Sequence, residues 1–356
     1  MIAAAGTGGH VFPGLAVGEA LLHLGVHRDE IIYVGGDRLE AEVYPAEGFR
    51  FHRVELTGLK RSLTLANLRI PGVVMRAKRS ITEVIDRSGA RVVLGMGGYV
   101  TIPTGLAARS RRVPFFNAEQ NASAGLANRV AARWARDSFV SFPETKGLSR
   151  GNWVGNPLRE PFWSFDRAAL RPEAMSRYEL DGADSVLGVF GGSLGAGVLN
   201  EAVAGMVGGW AAGPLSLVHL TGPDHVGAMS SRPCPPGVVW RRVGFEDRMD
   251  LFYAAVDLVI ARAGGAVAEL TATATPSILV PGSFGSGGHQ VENATFLERS
   301  GASRVLDEGS LGDLGSAVTA TLGEPARLEA MSACASAISR PRAALTIGEA
   351  MIEAAR

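Results

Sequence analysis

Cysteine is nearly absent: Cys234 and Cys334 stand far apart, too few for a disulfide framework or a zinc cluster, so a reducing cytosolic home is expected. Long apolar runs are missing as well. The charge-free run Ala202 to Pro223 is broken by Gly205, Gly208, Gly209, Gly213 and Pro214, which argues against a membrane span. Met1 does not open a signal-peptide pattern. No RNA- or DNA-reading motif occurs, which speaks against a nucleic-acid partner. Net charge is also missing, with 35 Lys and Arg against 35 Asp and Glu. The halves nevertheless differ. Met1 to Glu160 carries 21 basic against 14 acidic residues, leaving 14 against 21 for the remainder, so the first half is suited to an anionic partner.

What is present is glycine, 46 residues of it in a chain of 356 that is 46% hydrophobic, enough to bury the cores of two domains joined by tight loops. The first glycine stretch, Gly6-Thr7-Gly8-Gly9-His10, follows a short apolar run and precedes an apolar-periodic segment, Val11 to Leu24. It reads as strand, loop, helix, and such a loop lets a phosphate or sugar approach backbone N–H groups at a helix start. Val11 stands where a dinucleotide fingerprint places its third glycine. A nicotinamide enzyme using Asp37 for ribose is therefore disfavoured, and it would explain none of the later loops. His10 has two readings: a capping or packing side chain, or a base kept neutral by the positive end of the helix dipole.

The same device recurs at Val92 to Tyr99, at Val186 to Ala196 and at Leu258 to Glu269. Strands alternating with helices predict parallel sheets with ligands at the carboxyl ends of the strands, hence two α/β domains facing across a cleft. Gly155-Asn156-Pro157 marks the boundary, giving domains 1–156 and 157–340, with a last helix in 341–356 able to fold back on the first. Arg159 is expected to overhang the cleft.

Gly6 to Ala16, Leu94 to Val100, Glu119-Gln120-Asn121 with Ala124 to Asn128, Val154 to Arg159, and Gly191 to Ala196 together resemble the MurG family of bacterial cell-wall glycosyltransferases. The resemblance runs in order from Gly6 to about Leu306. It implies the GT-B fold, two Rossmann-like parallel-sheet domains with the donor in the second. It also implies inverting transfer of N-acetylglucosamine from UDP-N-acetylglucosamine to lipid I, giving lipid II, without metal or cofactor. Partners follow: the nucleotide sugar, lipid I, and an anionic membrane surface on the cytoplasmic face.

Residue by residue, the resemblance makes His10 the candidate base, with Thr7, Gly8, Gly9 and Asn121 beside the sugar and Tyr99 and Glu119 on the acceptor side. It sets uridine against Phe245 and the backbone of Glu246, with Met249 capping the base. Ser193 and the run Gly264, Gly265, Ala266, Val267 and Ala268 would meet the pyrophosphate, with Arg262 and Arg159 as cations. Glu269 would read the ribose diol, and Gln290 and Asn293 the sugar hydroxyls. Against these, Ser193 could be an ordinary N-cap and Glu269 a first-turn acid favoured by the dipole. The sequence departs from the family pattern at Leu194, at Ala118 and in a phosphate loop one residue shorter. A binding protein without transferase activity, or a divergent relative with another acceptor, would carry the same donor residues. Tyr99, Glu119, Asn121 and a basic apolar surface favour a second substrate.

That surface spans Leu56 to Thr82, which holds no acid but has Lys60, Arg61, Arg69, Arg76, Lys78 and Arg79, interleaved with Leu63, Leu65, Leu68 and Ile70. Pro71 suits a helix start, and Val74, Ala77, Ile81 and Ile85 are spaced to pack inward. The earlier leucines are left to meet lipid, with a partly buried, solvated loop as the other reading. Arg109, Arg111 and Arg112 would add to the attraction if they share that face.

Overall fold

The computed structural model describes residues 1–55, 70–148, 150–180, 182–183, 185–282 and 288–356. The chain divides into two compact units, Met1–Glu160 with Pro341–Arg356, and Pro161–Arg340. The stretch bearing Lys60, Arg61, Leu63, Leu65, Leu68 and Arg69 lies outside the described residues.

In the first unit the strands are β1 (Ile2–Ala3), β2 (Ile32–Gly35), β3 (Arg50–Arg53), β4 (Val93–Gly95), β5 (Phe115–Glu119), β6 (Asp137–Val140) and β7 (Asn152–Trp153). They form a parallel sheet in the order β3-β2-β1-β4-β5-β6-β7. Ile2 stands opposite both Tyr33 and Leu94. Its helices are α1 (Gly8–His23), α2 (Leu39–Ala46), α3 (Ile70–Ser88), α4 (Thr101–Arg111) and α5 (Leu126–Ala131). The period-2 pleat sends Met1, Ala3 and Ala5 into one core with Ala77, Ile81 and Ala107 of α3 and α4. Ile2 and Ala4 enter the other, with Val11 and Leu15 of α1 and Tyr44 of α2. Both faces of β1 and β4 are covered, which is why these strands read as unbroken apolar runs.

Two details differ from the sequence expectation. Helix α1 begins at Gly8 rather than Val11, because the Thr7 carbonyl already accepts the N–H groups of His10 at 2.9 Å and Val11 at 3.2 Å. Gly8, Gly9 and His10 therefore form the first helical turn. In α3 the inward face is Val73, Ala77, Ile81, Val84 and Ile85; Ala77, Ile81 and Ile85 are buried as expected, while Val73 takes the place expected of half-buried Val74.

The second unit holds β8 (Val186–Phe190), β9 (Leu215–Leu220), β10 (Val238–Val243), β11 (Leu258–Ala261), β12 (Ser277–Leu279) and β13 (Ser303–Val305), parallel in the order β10-β9-β8-β11-β12-β13. Helices α6 (Arg167–Arg177), α7 (Gly197–Gly208), α8 (Val226–Ser230), α9 (Met249–Ala255), α10 (Ala266–Ala272), α11 (His289–Arg299), α12 (Leu314–Leu322) and α13 (Pro325–Ala337) accompany it. The last helix, α14 (Ala343–Ala355), belongs to the first unit, where Ile347 and Met351 are buried in the α1 core. A methyl on Gly348 would lie 2.9 Å from Leu24 Cδ1, so this glycine sets how closely α14 approaches α1.

Candidate active site

The four glycine loops found in the sequence follow β1, β4, β8 and β11, and the topology brings them together in pairs. β1 lies beside β4 and β8 beside β11, at the points where strand order reverses. Ligands of open parallel sheets bind at such switch points, beyond the carboxyl ends of the strands. Each unit thus carries one such crevice.

In the first unit, Gly6 has φ +109 and Thr7 is the N-cap of α1. The Thr7 hydroxyl lies 3.4 Å from His10 Nδ1, the outer limit of a hydrogen bond. With Nδ1–H donating to Thr7, Nε2 is the acceptor. The His10 ring lies against the loop after β4. A methyl on Gly97 (φ +98) would fall 2.5 Å from His10 Cδ2 and 2.8 Å from Nε2, and one on Gly98 (φ +75) would fall 2.5 Å from the Ala5 carbonyl oxygen. Those two glycines are required by the backbone and by the imidazole together. Tyr99 is half-buried beside Gly6 and Gly36, and burial raises its hydroxyl pKa.

Glu119 is buried and bound to its own chain. Its oxygens accept the Asn121 backbone N–H at 3.0 Å and amide at 3.1 Å, the Gly125 N–H at 3.0 Å, and the Asn128 amide at 2.7 Å. The acid expected on the acceptor side therefore orders the loop that presents Asn121. Arg159 is drawn away from the glycine loop: it pairs with Glu19, well down α1, at 2.6 Å and with Glu47 at 3.3 Å. Eleven residues of helix separate Gly8 from Glu19, about 16 Å along the axis. In this structure its guanidinium is engaged by those two carboxylates.

In the second unit, the loop after β8 is fixed by close backbone approach. A methyl on Gly195 would fall 2.0 Å from the Thr221 carbonyl oxygen, and one on Gly222 2.3 Å from the Leu194 carbonyl oxygen. Ser193 is exposed in this loop and is not a cap, since Ala196 is the N-cap of α7. Leu194 projects outward, 73% exposed. The loop after β11 is different. Among the described residues, a methyl on Gly264 or Gly265 would touch nothing, so packing among them does not require those glycines, and Gly265 is exposed. Val267 and Ala268 donate their N–H groups to the Gly264 and Gly265 carbonyls, and Ala266 opens α10.

Glu269 lies in the first turn of α10, half-buried, and accepts the Tyr253 hydroxyl at 2.9 Å. Burial pushes its carboxyl up to about 7, opposed by the Tyr253 hydrogen bond. Phe245, beyond β10, is 60% exposed. Glu246 beside it is buried, and its carboxylate is held by Arg177 at 2.7 and 3.1 Å, the Tyr178 hydroxyl at 2.6 Å and the Arg248 N–H at 2.9 Å. Its side chain is thus fully engaged within the unit. Met249 opens α9, half-buried.

Arg262 is committed elsewhere. Its side chain, 12% exposed, pairs with Glu308 at 2.5 Å and donates to the Val280 carbonyl at 3.1 Å. On α11, Asn293 is buried and donates to the Ala263 carbonyl at 3.0 Å, bracing the loop after β11. The Gln290 side-chain oxygen accepts the Gly282 N–H at 2.8 Å. The residues missed from sequence are Tyr253, Asn128 and Glu40. A tyrosine one helix before a glycine loop and an asparagine nine residues after Glu119 are weak signals, and Glu40 gives none locally.

Residues 1–140 match the glycosyltransferase family 28 N-terminal domain and residues 186–347 the C-terminal domain of that family. A protein of Mycolicibacterium paratuberculosis named UDP-N-acetylglucosamine–N-acetylmuramyl-(pentapeptide) pyrophosphoryl-undecaprenol N-acetylglucosamine transferase is 39% identical over 364 residues, spanning 100% of this chain and 88% of its own. A Mycobacterium sp. (strain JLS) protein of the same name is 38% identical over 362 residues, spanning 100% and 95%. The crystal structure of Acinetobacter baumannii MurG superposes with TM-score 0.81 at 27% identity, covering 99% of this chain and 98% of that one. A Neisseria meningitidis UDP-GlcNAc 2-epimerase bound to UDP-GlcNAc shares the fold, with TM-score 0.67 at 12% identity, covering 99% of each chain.

Proposed function

This chain belongs to glycosyltransferase family 28, and we propose that it performs the transfer for which its relatives are named. N-acetylglucosamine moves from UDP-N-acetylglucosamine to the C4 hydroxyl of undecaprenyl-pyrophosphoryl-MurNAc-pentapeptide. The acceptor oxygen forms a bond to the anomeric carbon with inversion as the bond to the β-phosphate oxygen breaks. UDP leaves with that electron pair, and the hydroxyl proton passes to His10 Nε2. The observation that carries the reading is the placing of Glu269, an acid oriented by Tyr253 beside the open Gly264-Gly265 loop. A carboxylate there suits a ribose diol, backbone N–H groups suit a pyrophosphate, and exposed Phe245 suits the base. UDP release, assayed with and without a lipid I analogue, tests it. Release that needs the acceptor is expected; release indifferent to it would point to a nucleotide-sugar hydrolase, and no release in either case to a binder.

Since Arg159 and Arg262 are both held by carboxylates, the leaving charge falls to loop N–H groups and the N-terminal dipoles of α7 and α10. Activity is expected to persist undiminished in excess chelator. Loss restored by magnesium would show that these groups do not suffice.

No helix among the described residues is long and apolar enough to cross a membrane. The reading instead places the chain against the cytoplasmic face of the cell membrane, bound through α3 and the stretch before it. On α3, Met75 is 54% exposed beside exposed Arg76 and Arg79, and Lys78 is half-buried. Arg79 approaches Glu83 at 3.6 Å, and Arg111 is bound to Asp86 at 2.6 Å, about two turns along the same face. At about 1 kcal/mol per basic residue near an anionic surface, this supports reversible, salt-sensitive attachment. In vesicle sedimentation with anionic lipid at low salt, the parent is expected to pellet. A variant carrying Leu65→Ser, Leu68→Ser, Arg76→Glu and Arg79→Glu should stay in solution while still binding UDP-sugar. Equal pelleting of both would remove this surface from the account.

A further inference from the structure

Glu40, in the first turn of α2, is completely buried, and its two oxygens serve two different loops. Oε2 accepts the Gly6 N–H at 3.1 Å, after β1, and Oε1 the Gly36 N–H at 2.9 Å, after β2. The Gly35-Gly36 pair is what admits the carboxylate: a methyl on Gly35 would fall 2.6 Å from Glu40 Cγ, and one on Gly36 3.0 Å from Oε1. Tyr99, after β4, closes the group, since the same methyl on Gly36 would lie 3.5 Å from its hydroxyl oxygen and one on Gly6 4.0 Å from its ring. The ends of β1, β2 and β4 thus converge on one buried acid. A buried carboxylate is costly unless hydrogen-bonded, and here the two N–H donors and the N-terminus of α2 meet that need.

We infer that Glu40 is a positioning residue for transfer: it holds the Gly6 loop so that His10 faces Gly97, and it occupies with its own carboxylate the Gly6 N–H that a phosphate would otherwise use. The first loop therefore has its anion built in. What it meets of a substrate is read through neutral hydroxyls, whereas no carboxylate takes up the open Gly264-Gly265 backbone among the described contacts. The inference rests on the reading of His10 as base, because the loop matters to turnover through that imidazole.

Glu40→Gln keeps the shape but turns an NH2 group toward one of two N–H donors, so the loop must shift. A displacement of this kind costs about 10²-fold in turnover. The expected result is a kcat about 10²-fold lower, with the Kd for UDP changed less than about twofold and faster amide exchange in the segments holding Gly6 and Gly36. In the double variant with His10→Ala, turnover should be no lower than in His10→Ala alone. Losses that multiply, or UDP affinity falling in step with kcat, would make Glu40 a general stabiliser and overturn the inference. Unchanged kcat and exchange would overturn it as well. If Glu40→Gln does not fold, Glu40→Asp serves: the shorter acid keeps its charge but cannot span both loops, and parent-like turnover there would refute the role. Full turnover in His10→Ala refutes the base reading itself. Slow exchange in Glu40→Gln refutes the hold on the loop, so the two failures are told apart.

Discussion

Replacing Glu269 by alanine is expected to weaken UDP-N-acetylglucosamine binding by about 2–4 kcal/mol, roughly 30- to 1,000-fold in Kd, the scale of losing charge-assisted hydrogen bonds to a ribose diol. Calorimetry on the folded variant checks it, and unchanged affinity would remove Glu269 from the site. Alanine also leaves the buried Tyr253 hydroxyl without its acceptor, so Glu269→Gln, which can still accept from Tyr253, separates ligand loss from misfolding. The carboxyl adds a pH signature. Its pKa, raised from 4.5 to about 7, means the free protein carries a proton there through mildly acidic pH. A diol that donates hydrogen bonds prefers the carboxylate, so donor affinity is expected to fall below pH 7 by up to about tenfold per unit and to level off above it. Glu269→Gln should abolish the slope. For the free protein the sign is opposite: because the folded-state pKa is raised, this group's contribution to stability is complete below the unfolded value and is lost as pH rises through about 7.

The sequence was most legible where local pattern and chemistry coincide. Apolar runs ending in glycine located β1, β4, β8 and β11, and parallel-sheet logic supplied the rest, because strands buried on both faces have few other ways to pack. What it could not show was the pairing of charges across long separations. Arg159 and Arg262 are basic residues beside predicted loops, and nothing local in the sequence marks the acid each one pairs with. Those acids, Glu19 and Glu308, lie 140 and 46 residues away. Glu40 shows the converse. In Asp37-Arg38-Leu39-Glu40-Ala41-Glu42 nothing distinguishes the buried acid from its exposed neighbour Glu42. The distinction comes from the glycine pair at the end of β2 and a loop after β1 that reaches back to it, contacts that exist only once the sheet has formed. Helix periodicity likewise placed α3 with Ala77, Ile81 and Ile85 inward but chose Val74 where Val73 is buried, since the two are equally apolar in the sequence.

His10→Ala is expected to lower kcat by about 10²–10⁴-fold, the usual range for a lost general base, while sparing UDP affinity. The geometry makes the prediction sharper than the motif does. The imidazole has a neighbour on two sides, Thr7 Oγ1 at 3.4 Å from Nδ1 and Gly97 against the Nε2 edge. Thr7 holds the N-cap position of α1 without a side-chain capping bond, and its hydroxyl lies near His10 instead. Gly97→Ala therefore provides an independent route to the same loss. A methyl 2.5 Å from the ring, on a residue with φ +98, must displace the imidazole or the loop, though the base itself remains in the chain. Steady-state kinetics with a lipid I analogue, alongside UDP calorimetry, distinguish the outcomes. A kcat loss in both variants with UDP binding intact places the proton transfer at His10. Equal loss of kcat and UDP affinity in His10→Ala would mean that the residue shapes the loop and that another group takes the proton.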